Sequence, residues 1–282
     1  LKLLLPAACF EVPPHRPDPL LWRTCTSRMR AEGNVTAQED APVEEELLVI
    51  RTYELLGGQI TICEGDAVLS NTGWRTWAGS WLLAKHLERH LGRAGAGRPR
   101  RLLDLSCGTG LAGVSLACAG HEVVLCDLEV NLPTIHANLG RNLPGADGTW
   151  AAAGTGAAVA VVAYSWGAAL PEALRQPFDV VLCGDLLFHV WSSRLQVEFM
   201  ATLQELHFRG SGAGPEFLFG GQVRSRRQEQ LVLGTAARRL GLVEEELELD
   251  AAEEPSPLVP NARYRLVRLR PPTESEAPGS TS

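Results

Sequence analysis

Lysine is nearly missing from this chain of 282 residues: among 26 basic residues, only Lys2 and Lys85 are lysines. Set against 33 acidic residues, this leaves a formal net charge of −7. A dedicated nucleic-acid surface is therefore not expected, because such surfaces rest on a basic excess. The runs Arg98-Pro-Arg-Arg101 and Arg224-Ser-Arg-Arg227 read as solvated loop and helix-start residues. Seven cysteines are present, but without a C-x-x-C pair or regular spacing. That argues against zinc and against a disulfide framework, and it points to a reducing compartment, the cytoplasm or also the nucleus. Cys107, Cys126 and Cys183 fall at or near expected strand ends, as small hydrophobes do. No apolar run reaches the roughly 20 residues of a membrane-spanning helix, so no membrane contact is expected.

What is present is a strand running into a glycine-rich turn, Leu102-Leu-Asp-Leu-Ser-Cys-Gly-Thr-Gly-Leu-Ala-Gly113. The apolar run Val123-Val-Leu-Cys126 then ends in Asp127. Gly108 and Gly110 let the backbone approach a ligand where a Cβ would collide, and a helix starts directly beyond them. Asp127, at the tip of the next strand, is placed to accept hydrogen bonds from ribose hydroxyls. Gly108-Thr-Gly110-Leu-Ala-Gly113 also satisfies the G-x-G-x-x-G dinucleotide pattern, which is weak alone. Asp104, in the strand before the turn, is poorly suited to a pyrophosphate. It suits S-adenosylmethionine, which carries an ammonium and a sulfonium. The motif also lies about a hundred residues into the chain, whereas a dinucleotide fold usually opens with it. S-adenosylmethionine is the cofactor expected, over NAD.

The length suits one large α/β domain, residues 41–271. It is flanked by a disordered or upstream extension, 1–40, and a disordered tail, 272–282. Glu46–Tyr53 and Gln59–Cys63 read as a hairpin about Gly57-Gly58. Trp77, Trp81, Ala84, Leu87 and Leu91 mark one buried face of a helix that ends near Gly92. Strands follow at Leu102–Leu105, Glu122–Cys126, Ala157–Ala163, Phe178–Cys183 and Glu216–Gly220. Helices are expected at Leu111–Ala119, Leu132–Asn142, 192–207 and Gln228–Leu240, and Pro144–Gly156 reads as a loop. Glu244–Leu249 and Tyr264–Leu269 are joined by a segment too short and Pro-rich for a crossover helix, so they should pair antiparallel. The expected fold is a Rossmann-like, seven-stranded, mostly parallel sheet with helices on both faces.

These residues resemble the seven-β-strand protein methyltransferases grouped as lysine methyltransferase family 16. The likeness runs from about Tyr53 to Arg268. It includes Thr72-Gly73 leading to Trp77-Ala78, the Asp104–Gly113 loop, Asp127-Leu128, Asn138…Asn142, Ser165-Trp166-Gly167 and the motif at Asp185. In the family that last motif is usually Asp-x-x-Tyr; here it is Asp185-Leu-Leu-Phe188. The usual Leu-Asp-Trp is here Tyr164-Ser165-Trp166. The resemblance implies S-adenosylmethionine held by Trp77, Asp104, Ser106, Gly108, Gly110, Asp127, Leu128, Ser165, Trp166 and Gly184. Trp166 would wall the adenine, with Ser165 near its amino group. It further implies a protein substrate, with Asp185 and Phe188 forming the mouth of a lysine channel, and the chain acting as a monomer. His189 is a minor candidate for a general base, while Asn131, His136 and His121 receive no function. Other acceptors on the same fold, and a weakly catalytic cofactor-binding module, remain alternatives. No Asn-Pro-Pro-Tyr-type run follows the fourth strand, which disfavours methylation of a base amino group.

Overall fold

The computed structural model describes residues 48–65, 71–94, 98–143, 150–151, 155–209, 214–249, 262–273 and 275–276, all within one unit from Glu46 to Ser282. The expected extension, 1–40, lies outside these residues, and of the expected tail only 272–273 and 275–276 are described.

Two alternating segments, β1 (Val49–Leu55) and β2 (Gly58–Glu64), pair antiparallel with Leu55 opposite Gly58. The two residues between them, Leu56 and Gly57, have φ of 54° and 71°. That is a type I′ turn, whose twist suits a hairpin, and it lies one residue earlier than Gly57-Gly58. A leucine at positive φ is strained. Leu56 is buried in the same apolar cluster as Ile60, Ile62 and Leu87, and that burial offsets the strain.

Helix α1 (Ala78–His90) follows, capped at its end by Gly92 in the left-handed region. Its buried residues are Ala78, Gly79, Leu82, Leu83, Ala84, His86 and Leu87, with Trp81 and Leu91 half-buried at the flank. Of the face read off the sequence, Ala84 and Leu87 are buried, while Trp77, Trp81 and Leu91 are half-buried. Small Gly79 lets the start of α1 press on the sheet: a Cβ there would lie 2.4 Å from the Gly220 carbonyl oxygen.

Alternating strands and helices then build the main sheet. They are β3 (Arg101–Leu105), α2 (Leu111–Cys118), β4 (Glu122–Asp127), α3 (Leu132–Asn142), β5 (Trp150–Ala151), β6 (Ala158–Ala163) and β7 (Val180–Gly184). After them come α4 (Leu186–Ser192), α5 (Gln196–Phe208), β8 (Glu216–Gln222), α6 (Arg226–Leu240), β9 (Val243–Leu247) and β10 (Tyr264–Arg270). The order across the sheet is β5-β6-β4-β3-β7-β8-β10-β9. Strands β6, β4, β3, β7 and β8 run parallel, and β10 is antiparallel to both its neighbours.

The seven expected strands are all present. An eighth, the two-residue β5, pairs antiparallel with β6 inside the segment read as a loop. A second difference follows β7. The helix expected at 192–207 begins at Gln196, and a separate short helix, α4, starts immediately after Asp185. Helices α4, α5 and α6 share an apolar layer with Leu103, Leu105, Val181 and Phe217 on one face of the sheet. Helices α1, α2 and α3 and the hairpin share the other layer with Leu102, Val123, Leu125 and Leu182. Both faces are covered, as parallel strands require.

Side-chain amides fasten the hairpin to this framework. Asn138 Oδ1 accepts from Cys63 N at 2.8 Å, while its Nδ2 donates to the Cys63 and Thr109 carbonyls. Asn142 repeats the pattern on Thr61. Two asparagines one turn apart on α3 thus pair with the backbone of β2 and hold the hairpin against α3.

Candidate active site

The chain runs outward from β3 through β4 to β6, then returns to place β7 on the other side of β3. A crevice opens at such a switch point, outside the carboxyl ends of the strands. Here it is a cavity of about 360 Å³, within the roughly 300–1,000 Å³ range of small-molecule sites. Its wall takes Ser106 and Gly108 from the turn after β3, Asp127, Leu128 and Asn131 from the end of β4, and Ser165 and Trp166 after β6. Gly184, Asp185 and His189 follow β7, and Asn71–Gly73 and Trp77 come from the segment before α1.

Asp127 is the most tightly determined group. Its Oδ2 accepts from Gly108 N at 2.7 Å, and its Oδ1 accepts from Leu128 N and Asn131 Nδ2, each at 2.7 Å. Burial pushes its carboxyl up, opposed chiefly by the hydrogen bond from Asn131. Three of the carboxylate's roughly four acceptor sites are engaged. One more remains for a ligand hydroxyl, so clasping both ribose hydroxyls needs one of the three donors to give way. Asn131, given no function from the sequence, is buried and also accepts from Asn71 Nδ2 at 2.8 Å. The only sequence signal for it was its spacing of four from Asp127.

The turn after β3 departs from ordinary backbone at three positions. Ser106, Gly108 and Gly110 have φ of 55°, 58° and 81°. Glycine suits the last two; Ser106 does not, and its strain was invisible in the sequence. Its Oγ accepts the indole N–H of Trp166 at 3.0 Å, which fixes the ring in the cavity wall against Phe199, 4.8 Å between centroids. A Cβ at Gly108 would lie 3.2 Å from the Gly73 carbonyl oxygen, so the turn packs closely on the Gly73 backbone.

Two residues expected at the cofactor lie elsewhere. Gly110 caps α2 and is not in the cavity wall. Asp104 is buried on the α2 side of β3, outside the wall, and its Oδ2 accepts from Gly113 N at 2.8 Å. The third glycine of the pattern thus serves this internal bond between β3 and α2. Burial raises its carboxyl to about 7, with the Gly113 N–H opposing and the Asp127 charge adding.

Asp185 has φ of 54° and stands before α4, which the sequence did not reveal. Its Oδ2 accepts from Gly79 N at 2.5 Å, and its Oδ1 accepts from Gln222 N at 3.0 Å and Arg224 Nη1 at 3.2 Å. It therefore fastens the start of α1 to the end of β8 and also faces the cavity. Phe188 is exposed and lies in a crevice beside the cavity, shared with Asp185 and Arg224. Arg226 and Arg227 of the basic run are exposed at the start of α6, as expected, while the Arg224 side chain is turned onto the site. Its guanidinium is 4.7 Å from the Phe188 ring centre and 5.5 Å from that of Trp77. His189 is half-buried in the cavity wall, with Nε2 3.1 Å from Thr72 Oγ1. Burial and then the Arg224 charge lower its pKa, outweighing the opposing charges of Asp185 and Asp127. Among the described residues, no cluster of His, Cys, Asp and Glu could hold a metal ion. Likewise, no helix among them is long and apolar enough to cross a membrane.

A parallel sheet closed by an antiparallel C-terminal hairpin, with a nucleoside-sized cavity at its switch point, is the methyltransferase form of the Rossmann-like fold. The solved 16S rRNA methyltransferase RsmC of T. Thermophilus shares that fold, with a TM-score of 0.53 and 19% identity over 83% of this chain and 53% of that one. The protein N-lysine methyltransferase METTL21A of Danio rerio is 29% identical over 133 residues, 47% of this chain. The match spans 54% of that relative, about half its length. A family model described as lysine methyltransferase matches residues 59–232. The chain belongs to the lysine methyltransferase family.

Proposed function

We propose that this chain transfers a methyl group from S-adenosylmethionine to the side-chain amine of a lysine in a protein. The observation that carries the reading is Asp127, fixed by three N–H donors at the tip of β4, with Asp185 and Trp77 across the same cavity. The residues present fit the cofactor. Asp127 keeps an acceptor site for the ribose, Gly108 and Gly73 put bare backbone in the cavity wall, and Trp166 is a flat wall for the adenine. Ser106, Leu128, Ser165 and Gly184 complete that wall.

When bound, S-adenosylmethionine supplies an electrophilic methyl on a sulfonium. What remains for the chain is to align an amine and exclude water. A lysine has a free pKa of about 10.4 and must be neutral to attack. The Asp185 carboxylate and the faces of Trp77 and Phe188 draw the amine in as its ammonium, which sheds its proton to solvent before the lone pair meets the methyl. The exposed apolar residues Leu128 and Leu195 of the cavity wall, and Phe188 beside it, support a protein partner. Reduced thiols at Cys107, Cys126 and Cys183, all buried, support a cytoplasmic or nuclear setting and a monomer is the simplest state.

Calorimetry tests the cofactor half of the reading. S-adenosylmethionine should bind, and Asp127→Ala should weaken it more than tenfold, about 1.4 kcal/mol. Tight NAD binding without response to S-adenosylmethionine contradicts it.

A further inference from the structure

Asp185, Trp77 and Phe188 form a recess of two aromatic faces and a carboxylate, the chemistry that recognises a cation on an apolar stem. In this structure the chain fills it with its own side chain. The Arg224 guanidinium lies 4.7 Å from the Phe188 ring centre, 5.5 Å from that of Trp77, and pairs with Asp185 Oδ1 at 3.2 Å. Arg75 approaches the Trp77 ring as well, at 5.8 Å, but pairs with neither Asp185 nor Phe188 in these contacts. We propose that Arg224 is the resident occupant of this acceptor recess, displaced when a substrate ammonium enters. This rests on the lysine-acceptor reading above.

Three features make displacement feasible. The Arg224 backbone is pinned independently of its side chain, since its N–H donates to Glu229 Oε1 at 3.0 Å. The side chain sits on the short connection between β8 and α6 and is about one-quarter exposed, at 26%, so it can swing out by rotation about its own bonds. Asp185 keeps two backbone donors, Gly79 N and Gln222 N, when Arg224 leaves, so the carboxylate stays aimed at the recess. The identity of the occupant also fits. Arginine stays protonated and has no free lone pair to attack a methyl, so it guards the subsite without becoming a substrate. A lysine there would be an internal acceptor.

That contrast supplies the test. Binding of n-butylammonium, a lysine side-chain mimic, is followed by the indole N–H resonance of Trp77, assigned by its loss in Trp77→Phe. Arg224→Ala, and Arg224→Met if the alanine variant unfolds, should bind the probe at least about fivefold more tightly than the parent chain. Equal or weaker binding in a folded variant overturns the proposal, whatever the chain methylates. Tighter binding with methyl groups found only on arginine or histidine of an extract leaves the subsite standing and removes the lysine reading.

In a second arm, Arg224→Lys is incubated with labelled S-adenosylmethionine. The N–C bond forms as the S–C bond breaks, the amine proton goes to solvent, and S-adenosylhomocysteine is left. Label at position 224 supports the proposal. No label there, in a variant that still methylates lysines of an extract, places the recess away from the reacting methyl and overturns it.

Discussion

Trp166 donates its indole N–H to Ser106 Oγ at 3.0 Å, and Ser106 receives it from a backbone held at φ of 55°. The strained serine and the ring that walls the cavity therefore depend on one another. Ser106→Gly relieves the strain and Ser106→Ala retains it, while both delete the hydroxyl. Urea unfolding should show the glycine variant more stable than the alanine variant by about 0.5–1 kcal/mol, after the unfolded-state entropy of glycine is allowed for. Both should bind cofactor about three- to tenfold more weakly. Equal stability of the two removes the claim of strain.

Asn131 joins Asp127 to Asn71 through 2.7 and 2.8 Å bonds. Asn131→Ala should weaken cofactor affinity by about fivefold or more, near 1 kcal/mol, because Asp127 loses one of its orienting donors. Asn131→Asp should be worse, since it sets a second carboxylate against Asp127. Calorimetry on the two variants checks the order, and an unaffected Asn131→Asp contradicts it.

Asp104 gives the stability of the fold a pH dependence of known sign. Its folded pKa, about 7, is raised above the unfolded value by burial. The folded state therefore binds more protons, and this contribution is full below about pH 4, where the unfolded chain is also protonated, and is lost as pH rises through 7. Asp104→Asn keeps an oxygen for the Gly113 N–H and cannot ionise. Urea midpoints from pH 5 to 8 should fall less steeply for Asp104→Asn than for the parent chain. Parallel curves mean that Asp104 does not titrate in this range.

Asp185→Ala should abolish methyl transfer and also destabilise the fold by about 2 kcal/mol or more. It strands the Gly79 and Gln222 N–H groups and the Arg224 guanidinium. Thermal or urea unfolding measures the loss. A variant of parental stability shows that Asp185 does not fasten α1 to β8.

Legibility in the sequence followed periodicity and local motif. The seven strands of the sheet were readable because Leu102–Leu105 and Phe178–Cys183 are buried apolar runs and the C-terminal pair lacks room for a crossover helix. The place of Asp127 in the cavity wall was readable because the next strand of a parallel sheet ends beside the glycine turn. What stayed hidden depended on contacts between distant segments or on single dihedral angles. Arg224 pairs with a residue 39 positions away; in the linear chain it was one arginine in a basic run. The burial of Asp104 behind the turn, the positive φ of Ser106 and the break between α4 and α5 leave no periodic signature.

Lysine methylation itself is tested most directly by mass spectrometry of a protein extract incubated with this chain and isotopically labelled S-adenosylmethionine. The predicted result is label on lysine Nζ in one or a few proteins, lost with Asp127→Ala and with Asp185→Ala. Label confined to arginine, histidine, nucleic acid or a metabolite, in an otherwise active preparation, contradicts it.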